Sequence, residues 1–438
     1  MIRLAALLVL LLGPLAWAGP GDRSTLKRGE SPVIVEGKAL KPVLGKGKES
    51  LRLYAWREGA AVAIPYQIDE RTPAGAFAFP EGDERRSDTD DGRFDNNDEL
   101  VFMARDVGDR APPQAFALGQ SQTTELVVRD PKGRGWVYLL HFAKAPPPRA
   151  KRRYVDLDRR GPRLVGWTGD RVQVVTGGAP AHFLDLRQLR FARARGGFGP
   201  DLLDRAKLDL RLGYLFLDVR RRTDEVRAEW TSYRAGPVRI TAAYLLECYL
   251  IWGHWIRSTK RCSLTVYGNR MELEAEVSLP VALEVNRKSE LRMSLDFAPS
   301  AGPVQIWSRR NPKPIKADGR GKDPRLSGLK TSRCEWVAAS TGLGGVLARL
   351  HLDPALQKRR HKLFLLDGPA PDPPEDARGS HGNCGFVVDL SGATAGNYNL
   401  RVTLHFAQDL KPGGERALLE VEDQPLSCEP TTLSSGSR

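Results

Sequence analysis

The chain has 438 residues, 41% of them hydrophobic and 27% charged, which allows two domains with sizeable cores and excludes wholesale disorder. Its net charge of +14 suits an acidic polysaccharide, anionic lipid headgroups or nucleic acid as partner. The basic residues are nevertheless spread along the chain, and in stretches such as KLDLRLGYLFLDVRRR (207–222) they alternate with apolar ones, as on the solvent face of strands.

The chain begins MIRLAALLVLLLGPLAWAGPG. One basic residue, Arg3, precedes an apolar run of about ten residues, and Ala16-Trp17-Ala18 supplies a small-residue cleavage site. This is the pattern of a signal peptide spanning residues 1–18. The run is short for a membrane span, and no stop-transfer pattern follows it. No cysteine follows closely enough for a lipoprotein anchor, and no later segment is apolar enough to cross a bilayer. The expectation is an exported chain, periplasmic or secreted, with a charge of about +13 once Arg3 is removed.

From there nearly every periodic segment reads as a strand. LRLYAW, TELVVRD, GWVYLLHFA and RVQVVTG come first, and KLDLRLGYLFLDV, PVRITAAYLLECYLIW, CSLTVYGNRMELEAEVSL and NYNLRVTLHFA follow. β-branched and aromatic residues alternate with polar ones, and Gly, Pro, Asn or Asp separate the runs. GPDLLDRAKL (199–208) is the best helical signal. The pattern predicts an all-β chain, built as sandwiches or a large pair of curved sheets.

AKAPPPRAKRR (143–153) cannot lie in a central strand and reads as a linker. It separates an N-terminal β-sandwich (30–143) from a larger β domain (154–420). Within the second domain, 308–328 and 367–383 read as long polar loops, and 421–438 reads as a polar tail whose last dozen residues look disordered.

The stretch DTDDGRFDNNDELVF (88–102) is the densest in acids. Calcium requires six to eight oxygen ligands, and acids at alternate positions around a glycine turn supply them. The candidate ligands are Asp88, Asp90, Asp91, Asp95, Asp98 and Glu99, with the backbone carbonyl of Arg93. Placing Gly92 at the glycine of an EF-hand loop puts Asp91 correctly, but puts Thr89 and Ser87 at the two earlier ligand positions. A strand follows instead of a helix. The alternatives are a calcium staple of the first domain or a solvated turn rich in Asp and Asn.

All five cysteines lie after residue 247. In an exported chain they permit disulfides, and an odd number leaves one over. Cys248 and Cys262 flank YLIWGHWIRSTKR and could close a hairpin, while Cys334 with Cys384 is a second assignment that leaves Cys428 over. The same hairpin offers a ligand-binding group: Tyr249, Trp252, His254, Trp255 and Arg257. Its aromatics could stack on a sugar ring, and His254 with Arg257 could serve a uronic acid as base and charge neutraliser. A buried aromatic cluster is the other reading of this hairpin. The chain has no H-x-H, H-E-x-x-H, C-x-x-C, G-x-S-x-G, P-loop or dinucleotide fingerprint.

IPYQIDER followed by DGRFDNNDELVFMARDVG resembles the N-terminal sandwich of a loose group of exported bacterial β-proteins. Their pattern is P-x-Q-x-D … D-G-x-x-D-x-x-D-E-L-V-F, carried here by Pro65, Gln67, Asp69, Asp91, Gly92, Asp95, Asp98, Glu99, Leu100, Val101 and Phe102. GPVRI (236–240) also looks like a strand start of such proteins. The resemblance implies a larger β-sandwich or galactose-mutarotase-like supersandwich after the first domain, in some relatives beside polysaccharide-degrading enzymes. It implies no catalytic residue. Three functions fit: a module binding glycan or another cell-envelope component, a polysaccharide lyase or glycoside hydrolase acting on an acidic polymer, and an envelope structural or assembly protein. The binding module is the leading expectation, and nucleic acid ranks last among partners.

Overall fold

The computed structural model describes residues 22–82, 92–113, 115–160, 163–177, 182–214, 217–249, 255–257, 262–279 and 281–431. The signal-peptide segment 1–18 and the loop acids Asp88, Asp90 and Asp91 lie outside these residues. The chain forms two compact units. The described part of the first comprises 22–71, 92–152 and 424–431, and that of the second comprises 72–82 and 153–423. Among the described residues the strand pairs are antiparallel, and the α-helices are Pro354–Gln357 and Glu415–Asp423. The protein is all-β.

The first unit is a β-sandwich. Its smaller sheet has the order Pro32–Glu36, Glu99–Met103, Tyr66–Asp69. Its larger sheet has the order Ser427–Thr431, Gln122–Asp130, Gly133–His141, Leu51–Arg57, Ala60–Ala63. In PVIVE, Val33 and Val35 are buried while Ile34 and Glu36 are exposed, so alternation decides the inner face. Those valines meet Leu51, Leu53, Phe102, Leu126, Val128 and Leu139 in one core.

Two sheets dominate the second unit. The narrow one has the order Leu217–Arg222, Leu203–Tyr214, Glu290–Phe297, His381–Asp389, His361–Leu366. The broad one runs Asn311–Ala317, Val304–Ser308, Trp336–Thr341, Gly344–Leu352, Gly396–Ala407, Arg270–Leu279, Cys262–Tyr267, Arg239–Tyr249, Val226–Ala235, Glu81–Gly82. The short strand Trp255–Arg257 pairs beside Arg239–Tyr249. A single core holds Leu210, Leu212, Phe386 and Val388 of the narrow sheet with Leu264, Leu273, Val346 and Leu404 of the broad one. A separate four-stranded meander covers Val155–Phe191. Burial of each large apolar side chain in such a core stabilises by about 1.5–3 kcal/mol, which sets the register of every strand involved.

Several segments differ from the sequence reading. The stretch 199–208 enters the strand Leu203–Tyr214, because Arg205, Lys207 and Asp209 find cross-strand partners in Asp296, Ser294 and Arg292, which overrides local helix preference. The basic loop 308–328 contains the strand Asn311–Ala317, whose Pro312 and Pro314 are tolerated because it ends the broad sheet. Residues 421–431 are no loose tail. Residues 421–423 end the second helix, Leu426 is buried in the first unit's core, and Ser427–Thr431 pairs with Gln122–Asp130 as another proline-containing edge strand. Residues 72–82, placed by sequence in the first domain, join the second unit.

No disulfide is present, and all five cysteines stand as thiols. Cys262 is in register with Tyr244, whereas Cys248 is in register with Ile256. Cys248 therefore lies four residues along the strand from the position opposite Cys262, about 13 Å at strand rise and beyond disulfide reach. Cys334 donates its thiol to the Trp336 carbonyl at 3.3 Å, and Cys384 is fully enclosed in the core. Burial pushes the Cys248 thiol up to about 11 and the Cys334 thiol up to about 12, so both resist the thiolate form that oxidation needs. Thiol titration of the unreduced, denatured protein is expected to find five reactive groups. A count lower by two would reveal a bridge.

A carboxylate beneath a helix, at the edge of a cationic cleft

The candidate site is built by strand register on the outer face of the broad sheet. Gly344–Leu352 pairs with Gly396–Ala407 so that Leu347 faces His405, Arg349 faces Thr403 and His351 faces Arg401. On the other side of Gly396–Ala407, Arg270, Glu272 and Glu274 face His405, Thr403 and Arg401 in turn. Period-two alternation sends these polar residues outward while Val346, Ala348, Leu350, Leu400 and Leu404 enter the core.

The helix Glu415–Asp423 (ERALLEVED) lies over this array. Residues 415, 418, 419 and 422 form one stripe at helical spacing. Leu418 and Leu419 pack against a cluster of Trp307, Trp336, Leu347 and Leu410. Glu415 accepts a hydrogen bond from Trp307 Nε1 at 3.3 Å. The same stripe brings the Glu422 carboxylate down onto the sheet, where it is 9% exposed.

Burial of a carboxylate is costly unless donors surround it. Glu422 Oε1 takes a hydrogen bond from His405 Nε2 at 2.7 Å. Its Oε2 takes bonds from His351 Nε2 at 2.9 Å and from the Thr403 hydroxyl at 3.1 Å. Arg349 lies 3.9 Å from Glu422 and pairs with Asp423 at 2.6 Å. Burial alone would raise the Glu422 carboxyl, but the two histidines and the Arg349 charge outweigh it and hold it well below the usual range. Burial lowers the His405 imidazole against the pull of Glu422, so it stays neutral at neutral pH. A carboxylate can only accept, so both histidines carry their proton on Nε2. In the neutral tautomer of His351 this makes Nδ1 the acceptor.

His351 lines two depressions. One, of about 350 Å³, is lined by Ser263, Glu274, Glu276, Asp353, Asn399 and Arg401. The other, of about 710 Å³, is a cleft lined by Arg333, Arg349, Lys358, Arg359, Arg360, Lys362 and His361, with Glu335 as its one carboxylate. Arg359 donates to the carbonyls of Ser391 and Gly392. The side chains of Arg333, Lys358, Arg360 and Lys362 make no hydrogen bond or ion pair among the described residues. Arg333 sits at φ 52, in the left-handed region that non-glycine residues avoid. Its N–H donates to the His361 carbonyl, which holds it beside the edge strand. Backbone strain of this kind concentrates at functional positions.

A second charged group lies on the outer face of the narrow sheet, and its charges are matched. Lys207, with its side chain fully buried, donates to Asp296 and to the Asp372 carbonyl, both at 2.5 Å. Arg205 pairs with Asp185 and Asp224, and Arg220 with Asp209. Burial, with Asp296 nearby, pushes the Asp204 carboxyl up to about 6 against two backbone N–H donors.

The groups singled out in the sequence fall elsewhere. Trp252 and His254 lie outside the described residues. Tyr249 and Trp255 are opposite one another in backbone register, as are Glu247 and Arg257. Of the acidic loop, Asp95 caps a turn by accepting from the N–H groups of Asn97 and Asp98, and Asp98 accepts from those of Asp95 and Arg71. Glu99 pairs with Arg71 at 2.5 Å, and the Arg93 side chain reaches the Gly45 carbonyl. Burial pushes Asp98 up to about 6. Among the described residues no three acidic, histidine or cysteine side chains form a metal cradle. Residues 349, 351, 405 and 422 were not singled out. Their signals were present: ARLHL and RVTLHF place polar side chains at alternate positions, and ERALLEVED extends an apolar stripe into a glutamate.

No family model and no curated protein matches this chain. Among solved structures it is similar to an alpha-mannosidase from Enterococcus faecalis V583, at 11% identity and a TM-score of 0.44, over 95% of this chain and 45% of that one. A glycosyl hydrolase family 38 protein from Enterococcus faecalis aligns at 11% identity and a TM-score of 0.39, over 94% and 48% of the two chains. A glycosyl hydrolase of family 92 aligns at 12% identity and 0.21, over 55% and 31%. The chain thus spans about half the length of the first two. Likeness at this level carries no activity across.

Glu422→Gln would replace one acceptor by a donor facing a histidine N–H. It is expected to cost about 2–4 kcal/mol at pH 7. Because the Glu422 carboxyl is depressed below 4.5 and His405 below 6.5, the wild type gains stability from both at neutral pH. It loses the His405 part as pH falls below 6.5, and the Glu422 part as pH falls below 4.5. Denaturant unfolding across this range should show the variant's deficit shrinking towards acid. A pH-independent deficit would contradict the assignment.

Proposed function

We propose that this chain binds an anionic glycan, and that the cleft between Arg333 and Lys362 is where the polymer's carboxylates lie. The observation that carries this reading is the charge balance. Many buried or half-buried basic side chains of the second unit meet acids, among them Arg270 with Glu272, Arg401 with Glu274 and Arg292 with Asp372. In the cleft four cations stand without an acidic partner among the described residues. Holding like charges together costs free energy unless a counter-charge arrives, and such a cleft focuses its field on an incoming anion.

The adjoining hollow supports a sugar over other polyanions. Ser263, Glu274, Asn399 and Arg401 offer donors and acceptors suited to hydroxyl groups, and its carboxylates disfavour a phosphate-dense strand. The basic cleft takes the acidic groups and the mixed hollow takes the hydroxyls. The signal-peptide pattern of residues 1–18 supports an encounter outside the cytoplasm, where such polymers occur.

Calorimetric titration with polygalacturonate should give saturable binding that weakens as salt rises, while the neutral polymer dextran gives none. Arg360→Ala combined with Lys362→Ala should weaken the affinity by about tenfold at low salt and less at high salt. Equal binding by wild type and variant, or by dextran, would remove the cleft from consideration.

A further inference from the structure

We propose that His351 is a catalytic base, and that the chain cleaves a uronate-containing glycan by β-elimination. This rests on the reading of the cleft as an anionic-glycan site.

Three features converge on one side chain. His351 is about a third exposed, at 29%, and lines both the cationic cleft and the hollow suited to hydroxyls. Its Nε2–H is committed to Glu422 at 2.9 Å, so in the neutral ring Nδ1 is the lone-pair acceptor, with no hydrogen-bond partner among the described residues. Glu422 is in turn fixed by His405 and Thr403, so the ring is anchored between the helix and the outer face of the sheet. Other described histidine side chains of this unit do not share the arrangement. His405 is buried at 3%, His361 is buried, and His381 donates to the Gly302 carbonyl at 2.9 Å, with its other ring nitrogen 3.4 Å from the Gly379 carbonyl.

The chemistry of a uronate needs this combination. Its C5 proton lies next to a carboxylate, and becomes removable once cations neutralise that carboxylate. Arg333 and Arg360 supply the cations, and His351 supplies the base. Nδ1 takes the C5 proton, and the C5–H electron pair becomes the C4=C5 double bond. The C4–O4 bond breaks with its pair on O4, which takes a proton from water and leaves as the anomeric hydroxyl of the departing sugar. The imidazolium returns its proton to water. No oxidant is used and no water is added across the bond.

Hydrolysis by a carboxylate pair fits less well. Glu274 is engaged by Ser263 at 3.1 Å and by Arg401 at 3.7 Å. Asp353 accepts from the N–H groups of Ala355, Leu356 and Asn399. Neither stands open as the protonated acid that glycoside hydrolysis requires.

The test incubates the full chain with polygalacturonate, alginate and chondroitin sulfate. It follows the ultraviolet absorbance of the conjugated C4=C5 bond, with product masses read in parallel. At least one polymer is expected to yield unsaturated ends. His351→Gln, whose amide still donates to Glu422, should lower turnover by at least about 100-fold while binding changes by less than about threefold. His351→Asn provides a second variant if the first melts early. Arg333→Ala should weaken binding and turnover together. Unsaturated product from His351→Gln at the wild-type rate overturns the assignment of the base. Saturable binding of the polymers with no unsaturated product overturns elimination and leaves the binding site standing. Absence of binding removes both.

Discussion

A one-residue slip of the strand Gly396–Ala407 would exchange its two faces, and with them the core and the candidate site. In the observed register Tyr398, Leu400, Leu404 and Phe406 are buried in the sandwich. Arg401, Thr403 and His405 stand on the outer face between Gly344–Leu352 and Arg270–Leu279. Burial of four large apolar side chains is worth several kcal/mol, about 1.5–3 for each, so the slip is closed to the chain. The polar lattice is therefore positioned by the packing on the opposite side of the sheet.

On that lattice the helix Glu415–Asp423 adds one buried charge. Its leucines dock on the Trp307 and Trp336 cluster, and helical spacing then delivers Glu422 one turn further along. A carboxylate in that position demands donors, and His351, His405 and Thr403 meet the demand. The consequence reaches the surface. One imidazole is held through Nε2 by Glu422 and lines a cleft with an excess of positive charge. The two charged groups of this unit differ in the balance of their charges. Buried Lys207 and Arg205 are met by acids, while the exposed Arg333, Lys358, Arg360 and Lys362 have no acidic partner among the described residues.

Alternation made the all-β class and most strands readable, since period two is a local property of each segment. Edge strands escaped because their prolines, Pro312, Pro314 and Pro430, argue against a strand unless the position at a sheet edge is known. The return of Ser427–Thr431 to the first unit is a long-range pairing with no local trace. The Cys248 to Cys262 bridge failed on register, which sequence spacing across an intervening strand does not reveal. His351, Arg349 and His405 were visible only as outward residues of ordinary strands. What unites them is Glu422, at the end of a helix that crosses from the stretch read as the larger domain into the stretch read as tail.

The central claim is that Glu422 holds His351 with its proton on Nε2 and its Nδ1 open to a ligand in the cleft. Nitrogen NMR of the protein labelled at its histidines, with His351→Gln to assign the signal, reads this directly. The account predicts that the neutral ring carries its proton on Nε2, with the Nδ1 signal shifting when an oligogalacturonate is added and the Nε2 signal nearly still. A neutral ring with its proton on Nδ1, or a His351 signal indifferent to the oligomer at saturating concentration, would contradict it.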